Sequence, residues 1–508
     1  MPGRIGVEVN LGAAGDTRDT LLRRSKTVRI LVLGDFSGRR NRGLEKAADL
    51  ASRPILEVDV DSFGAVFRRL SPCLALGPGD DGTSALTARF DTLDDFHPDR
   101  LFATLEPFRK LRESRSRLLD PASFEQEASR LMECQPLPAS VAKAGSAAEL
   151  IQAEGQAEML TRLIGGPADA ALRRMPVIGF VDELIGRLVQ PHIEPGSTRA
   201  PDPYIAALDA STTDLMRTLL HQADFQALES TWRGVRRLVE SLDLGSELKL
   251  YVVDVSKGEL LADCAASRGN PQDSAAYRLI VEANRGADPQ PWSLLVGHCR
   301  FGADADDIAL LGHLGVIASH AGGPLLAEAD PNLVGCAALN ERAEPRNWTF
   351  VGSDVDERWL ALRRSPVARW LGLAMPRVLL RLPYGTKTDR VEEFSFEEFA
   401  ATANHESYLW GNPALACAQV IARAFLENDR ETSDEGSHEI DDLPAHVRDQ
   451  DGERHLQACA EFLLPLRVGD EMLRRGMIPV LSYGNRNAVR LMRLQSISEP
   501  LAALAGFD

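Results

Sequence analysis

Leu248-Lys249-Leu250-Tyr251-Val252-Val253-Asp254-Val255 decides the fold class of this chain. Its apolar and β-branched residues read as one strand of a packed sheet. Just before it, Phe225, Leu228, Trp232, Val235, Leu238 and Val239 recur at steps of mostly three and four, which draws one apolar stripe along a helix. Gln226, Glu229, Arg233 and Arg236 fall off that stripe. After the strand comes helical sequence around Leu260 and Tyr277, then a second strand, Trp292-Ser293-Leu294-Leu295-Val296. Strands alternating with helices predict an α/β layered architecture.

Toward the amino terminus, Ile5, Val7 and Val9 alternate with other residues at the period of a half-buried strand. Thr27-Val28-Arg29-Ile30-Leu31-Val32-Leu33 predicts a further strand, ended by the turn-forming Gly34-Asp35-Phe36-Ser37-Gly38. Val58-Asp59-Val60-Asp61 and Leu86-Thr87-Ala88-Arg89-Phe90 predict shorter ones. The polar turn Asp94-Asp95-Phe96-His97-Pro98-Asp99 leads into a helical pattern through Leu101, Leu105, Phe108, Leu111, Leu118 and Leu119. Pro107 is expected to split that helix, since proline suits a first turn better than an interior. These elements make residues 1–135 a small α/β unit. From 136 to 203 the composition turns to Ala, Gly and Pro, which predicts a connector with helices over 147–164 and 180–188. Residues 204–508 form the larger α/β part, in which the acidic stretch 427–442 predicts an exposed loop.

At 508 residues the chain is long enough for two to four domains. A net charge of -17 argues against nucleic acid or an anionic membrane as main partner, because phosphates call for a basic face. The basic run from Arg109 to Arg117 includes Glu113 and reads as a solvated helix face. Seven scattered cysteines, with no Cys-x-x-Cys pair, predict neither a disulfide framework nor a zinc knuckle. No signal-peptide core and no bilayer-length apolar run is found, so the expected location is cytoplasmic, without membrane insertion.

Catalytic spacing is missing. The Gly34–Gly38 turn follows a strand as a phosphate loop would, but no Gly-x-x-x-x-Gly-Lys-Ser/Thr run exists. Gly77-Pro78-Gly79-Asp80-Asp81-Gly82 spells a dinucleotide fingerprint, yet it leads into a strand and carries two carboxylates that would repel phosphate. Gly302-Ala303-Asp304-Ala305-Asp306-Asp307 lacks calcium-loop spacing and predicts a helix N-cap at Asp304 or Asp306. His313 and His320, seven apart, and His405-Glu406 lack the His-Glu-x-x-His spacing of a zinc site. No Gly-x-Ser-x-Gly elbow occurs. No catalytic, cofactor-binding or metal-ligating residue is assigned, and the chain is read as a non-enzyme.

Two sets of ordered motifs resemble the two subunits of the bacterial type VI secretion contractile sheath. Arg4-Ile5-Gly6-Val7-Glu8-Val9, Ile30-Leu31-Val32-Leu33-Gly34-Asp35-Phe36-Ser37-Gly38 and Asp94–Asp99 look like the small subunit (TssB/VipA-like). Asp224-Phe225-Gln226-Ala227-Leu228-Glu229-Ser230-Thr231-Trp232-Arg233-Gly234 resembles the large subunit (TssC/VipB-like). Val255-Ser256-Lys257-Gly258-Glu259-Leu260, Arg377–Gly385, Tyr408-Leu409-Trp410-Gly411-Asn412, Gly476-Met477-Ile478-Pro479-Val480 and Gln495-Ser496 extend that likeness.

The resemblance implies a fused protomer that self-associates into a helical sheath around an inner-tube protein and drives it outward. It implies baseplate components and a recycling unfoldase as further partners, and no cofactor. Ile5, Val7 and Val9 are then the candidate strand-exchange interface, and Leu111, Leu118, Phe225 and Trp232 the candidate packing between halves. A large subunit of this kind would continue past Gln495-Ser496, so the large-subunit-like part is expected to be C-terminally shortened. That leaves a second reading, a non-polymerising regulatory or capping module that binds sheath or baseplate components.

Overall fold

Ile30, Leu31 and Val32 are fully excluded from solvent, as a run of apolar residues must be when it forms a strand covered on both faces. That strand, β1 (Val28–Gly34), lies inside a nine-stranded sheet. The structure is a computed structural model that describes residues 27–76, 87–133, 201–284, 290–337, 339–340, 342–349, 353–399, 405–427, 438–450 and 453–506.

The other sheet strands are β2 (Leu56–Val58), β3 (Leu248–Asp254), β4 (Leu294–Phe301), β5 (Leu325–Ala329), β6 (Leu371–Met375), β7 (Glu439–Ile440), β8 (Met477–Ser482) and β9 (Val489–Leu491). They run in the order β7-β9-β8-β6-β5-β4-β1-β3-β2. The six inner strands, from β8 to β3, are parallel, and antiparallel β2 and β9-β7 close the two sides.

β1 sits between β3 and β4, parallel to both, with Val32 opposite Val252 on one side and Val296 on the other. Strands near residue 30 and near residue 250 are therefore direct neighbours. The sheet expected for the larger part is completed by two strands from the smaller one, β1 and β2.

The chain divides into two compact units, and each draws on sequence from before residue 134 and after residue 200. The first comprises Met1–Leu70, Ser230–Arg381 and Trp410–Asp508, and contains the whole nine-stranded sheet. The second comprises Ser71–Glu229 and Leu382–Leu409. It holds a two-stranded ladder of Cys73–Ala75 with Thr87–Arg89 and a set of helices.

The helices used below are α1 (Phe63–Leu70), α2 (Pro98–Thr104), α3 (Glu106–Leu119), α4 (Phe124–Glu133), α5 (Pro201–Leu220), α6 (Ala223–Ser241), α7 (Lys257–Ala266), α8 (Ala305–Ala321) and α9 (Pro413–Glu427). Pro107 lies in the first turn of α3, and extended Leu105 separates α3 from α2, so proline splits the pattern as expected. All six stripe residues of α6 are at most 2% exposed.

Four expectations shift. The strand expected over 58–61 is β2, ending at Val58, because Asp59 and Ser62 bond each other's backbone amides and turn the chain into α1. Strand β4 runs on to Phe301, past the predicted Val296. Asp304 occupies the N-cap position of α8, but its side chain makes no capping bond; Asp307 instead accepts from Gly302 N at 2.6 Å and pairs with Lys257. Within 427–442, Glu439–Ile440 is not loop but edge strand, paired with Arg490 and Val489.

The expected strand around Ile5, Val7 and Val9, the Gly77–Gly82 run and both connector helices lie outside the described residues. No disulfide joins the six cysteines among the described residues, and no described helix is long and apolar enough to cross a membrane.

Candidate functional site: a carboxylate and arginine seam

The Gly34–Gly38 turn lies at the carboxyl ends of the parallel strands, where an α/β sheet usually binds ligands. Here its amides are occupied by the chain's own acids. Asp254, the last residue of β3, accepts from Phe36 N at 2.8 Å, Ser37 N at 3.1 Å and Ser37 Oγ at 2.8 Å. Asp35 accepts from Arg39 N at 2.7 Å and Arg40 N at 2.9 Å. Two carboxylates thus fill the concave backbone that would otherwise suit a phosphate, which gives a physical reason for the failed nucleotide motif. Burial raises the pKa of Asp35, the amides of Arg40 and Arg39 pull it back, and the nearby Asp254 charge adds to the rise.

Glu259 holds the centre of the seam. Ser256 and Glu259 form a reciprocal capping box at the start of α7, because the Ser-x-x-Glu spacing lets each side chain reach the other's amide. The Glu259 carboxylate, fully excluded from solvent, also takes Arg53 in a two-pronged ion pair, Arg39 Nε at 3.1 Å and the Lys46 amide at 2.7 Å. Burial works against its charge, but the Arg53 bond, the amides of Lys46 and Ser256 and the Arg39 bond outweigh that and hold its pKa at about 2. Arg53 also donates to the Asp254 carbonyl at 2.8 Å. Ser256 Oγ donates to Glu45 at 2.6 Å, and Gly258 leaves room for that carboxylate, which a Cβ would meet at 2.5 Å.

Aromatic packing backs the polar contacts. Trp232 is fully buried against Phe36, Phe63 and Phe67, with centroid separations of 5.1, 5.7 and 4.4 Å, and its Nε1 donates to the Phe36 carbonyl at 2.8 Å. An indole seated with its N–H bonded contributes area and direction together. Next to it, Thr231 Oγ1 lies 3.2 Å from His298 Nδ1, and burial lowers the pKa of that imidazole to about 4.

The second unit has its own joint between early and late sequence. Phe225 meets the edges of Phe90 and Phe96, which stack on each other at 4.1 Å. Asp99 accepts from the amides of Glu392 and Glu393, and Phe102 stacks on Phe394 at 4.6 Å. Helix α3 packs against α4 and α5, and Leu111 and Leu118 are buried within it. Its basic run is largely neutralised by Arg109 with Glu106, Arg115 with Asp209 and Arg117 with Glu127.

Of the residues singled out in the sequence, Trp232 lies in the first unit and Leu111, Leu118 and Phe225 in the second; Ile5, Val7 and Val9 lie outside the described residues. Glu259, Arg39, Arg53, Asp254 and Asp35 were not among them. The Ser256-x-x-Glu259 spacing was the one available signal, and it announces a helix start rather than a partner some 200 residues away. His313 is buried on α8, and His320 on the same helix bonds the Tyr277 hydroxyl at 3.1 Å.

A family model described as EvpB/VC_A0108, tail sheath N-terminal domain, matches residues 202–498. One described as type VI secretion system, VipA, VC_A0107 or Hcp2, matches residues 12–133. The chain is similar to the type VI secretion system sheath protein TssC1 of Pseudomonas aeruginosa, 34% identical over 306 residues, which cover 59% of this chain and 61% of that protein. It is also similar to sheath protein TssB1 of the same organism, 30% identical over 97 residues, covering 18% of this chain and 55% of that protein. The chain thus spans less than two thirds of either relative.

Proposed function

We propose that this chain, which belongs to the type VI secretion sheath family as a TssB-like segment fused to a TssC-like one, is a cytoplasmic structural protomer that assembles around an inner tube to power its ejection. By descent it divides into a small-subunit part (1–135), a connector (136–203) and a large-subunit part (204–508). The carrying observation is the seam: the amides that could hold a ligand are filled by Asp35 and Asp254, and the motifs from the two sides meet as a built joint. Such a site suits assembly better than catalysis. The proposed partners are other copies, the inner-tube protein, baseplate components and a recycling unfoldase.

A lattice needs a contact between copies, and Ile5, Val7 and Val9 are proposed to supply it as an added strand. The hairpin of His446–Gln450 with Glu453–Gln457 supports that reading. It forms a two-stranded sheet of its own, joined by no third strand among the described residues, and its cross-strand pair Val447–Leu456 is 56% and 42% exposed. An isolated hairpin is marginal in water and gains from further strands.

Sedimentation tests this. The parent is expected to pellet as large assemblies, whereas Val7→Pro, which removes a strand N–H, should leave protomers. A parent that sediments as monomer with and without tube protein would remove polymerisation and favour the capping-module reading.

A further inference from the structure

We infer that residues 27–133 are an exchangeable half, which one copy of this chain can seat in a second copy as well as in its own. The fold makes this half separable. β1 enters the sheet between β3 and β4, and among the described residues its two strand ladders, like the pairs that Phe36, Arg39 and Arg53 make with Asp254 and Glu259, are contacts with residues beyond 200. The same holds for Phe36 on Trp232, Phe90 on Phe225 and Arg115 on Asp209. None of these contacts depends on the two partners sharing one backbone. An exchanged arrangement reproduces each of them, and only the path of the chain between Glu133 and Pro201 changes.

That path is longer than self-closure requires. Phe124 at the start of α4 packs on Tyr204 near the start of α5, with ring centroids 5.9 Å apart. Adding the rise along the helices, the ends at Glu133 and Pro201 are separated by no more than about 30 Å, which about ten extended residues would cross. Residues 134–200, 67 in number, join them, several times what the gap needs. A connector of that length sets the effective concentration of a chain's own half near the millimolar range. Dilute copies therefore close on themselves, whereas copies crowded side by side at comparable local concentration exchange. If the sheath reading above holds, exchange would thread neighbouring protomers through one another; the inference itself does not depend on that reading.

Arg115 on α3 and Asp209 on α5 allow a direct test, being 2.9 Å apart and about half exposed. Two full-length proteins, Arg115→Cys and Asp209→Cys, are unfolded together, refolded as a mixture at rising concentration and treated with a short thiol cross-linker. Exchange predicts a covalent dimer on a denaturing gel in the mixture alone, growing in proportion to concentration and reaching roughly 5% near 50 micromolar. The doubly substituted chain, cross-linked as a monomer in dilute solution, shows that the pair is within reach. Correctly refolded mixtures that give no dimer at any concentration would overturn the inference, as would equal dimer in either single variant, which reports random collision. The readout is independent of filament formation, so its failure is distinct from a failure to polymerise.

Discussion

Replacing Glu259 by Gln removes one charge from the seam and keeps its shape. The native carboxylate is held at about 2 against an ordinary 4.5, which at roughly 1.4 kcal/mol per unit is worth about 3 kcal/mol of stability at neutral pH. The sign follows from which state takes up the proton. The unfolded side chain protonates near 4.5 while the folded one resists until about 2, so the contribution is complete above 4.5 and is lost as pH falls between those values. Glu259→Gln should therefore unfold at lower urea than the parent at pH 7, by about 3 kcal/mol, and the gap should narrow steadily between pH 4.5 and pH 2.5. Urea titrations followed by tryptophan fluorescence at those three pH values measure it, since Trp232 packs in the same unit. A variant with the parent's midpoint at pH 7, or a gap that is unchanged at pH 2.5, would refute the assignment of Glu259 as the charged centre of the seam.

Trp232→Ala should cost about 3 to 5 kcal/mol, because it empties a site lined by three phenylalanines and leaves the Phe36 carbonyl without its donor; thermal unfolding reads the loss, and Trp232→Phe should recover much of it. Burial raises the pKa of Glu328 to about 7, with the Arg377 and Arg300 charges opposing the rise, so the folded protein keeps this proton where the unfolded chain has released it. Stability then falls as pH climbs from 4.5 to 7, and Glu328→Gln should match the parent near pH 4 while exceeding it by about 3 kcal/mol at pH 8, as pH-dependent denaturation would show. Gly258→Ala should displace Glu45 from Ser256 at a cost of about 1 kcal/mol or less, a small drop in urea midpoint.

The elements themselves were largely legible. Ile30 to Leu33 and Leu248 to Val253 announce buried strands by their unbroken apolar runs, and the stripe from Phe225 to Val239 fixes the buried face of α6. Strands β5, Leu-Leu-Ala-Glu-Ala, and β6, Leu-Gly-Leu-Ala-Met, carry no clear strand signal, because alanine and glycine have little strand preference. The placing of β1 between β3 and β4 was not legible from periodicity, since local pattern states which face is buried and never which distant strand is the neighbour. For the same reason the charged seam around Glu259 is not legible: Arg39 and Arg53 become its partners only once that strand order exists.

The most direct measurement of the central claim is electron microscopy of the purified full-length chain, alone and mixed with the inner-tube protein. A sheath protomer predicts ordered helical assemblies that enclose the tube. Monomers under every condition, with no tube bound, would contradict it.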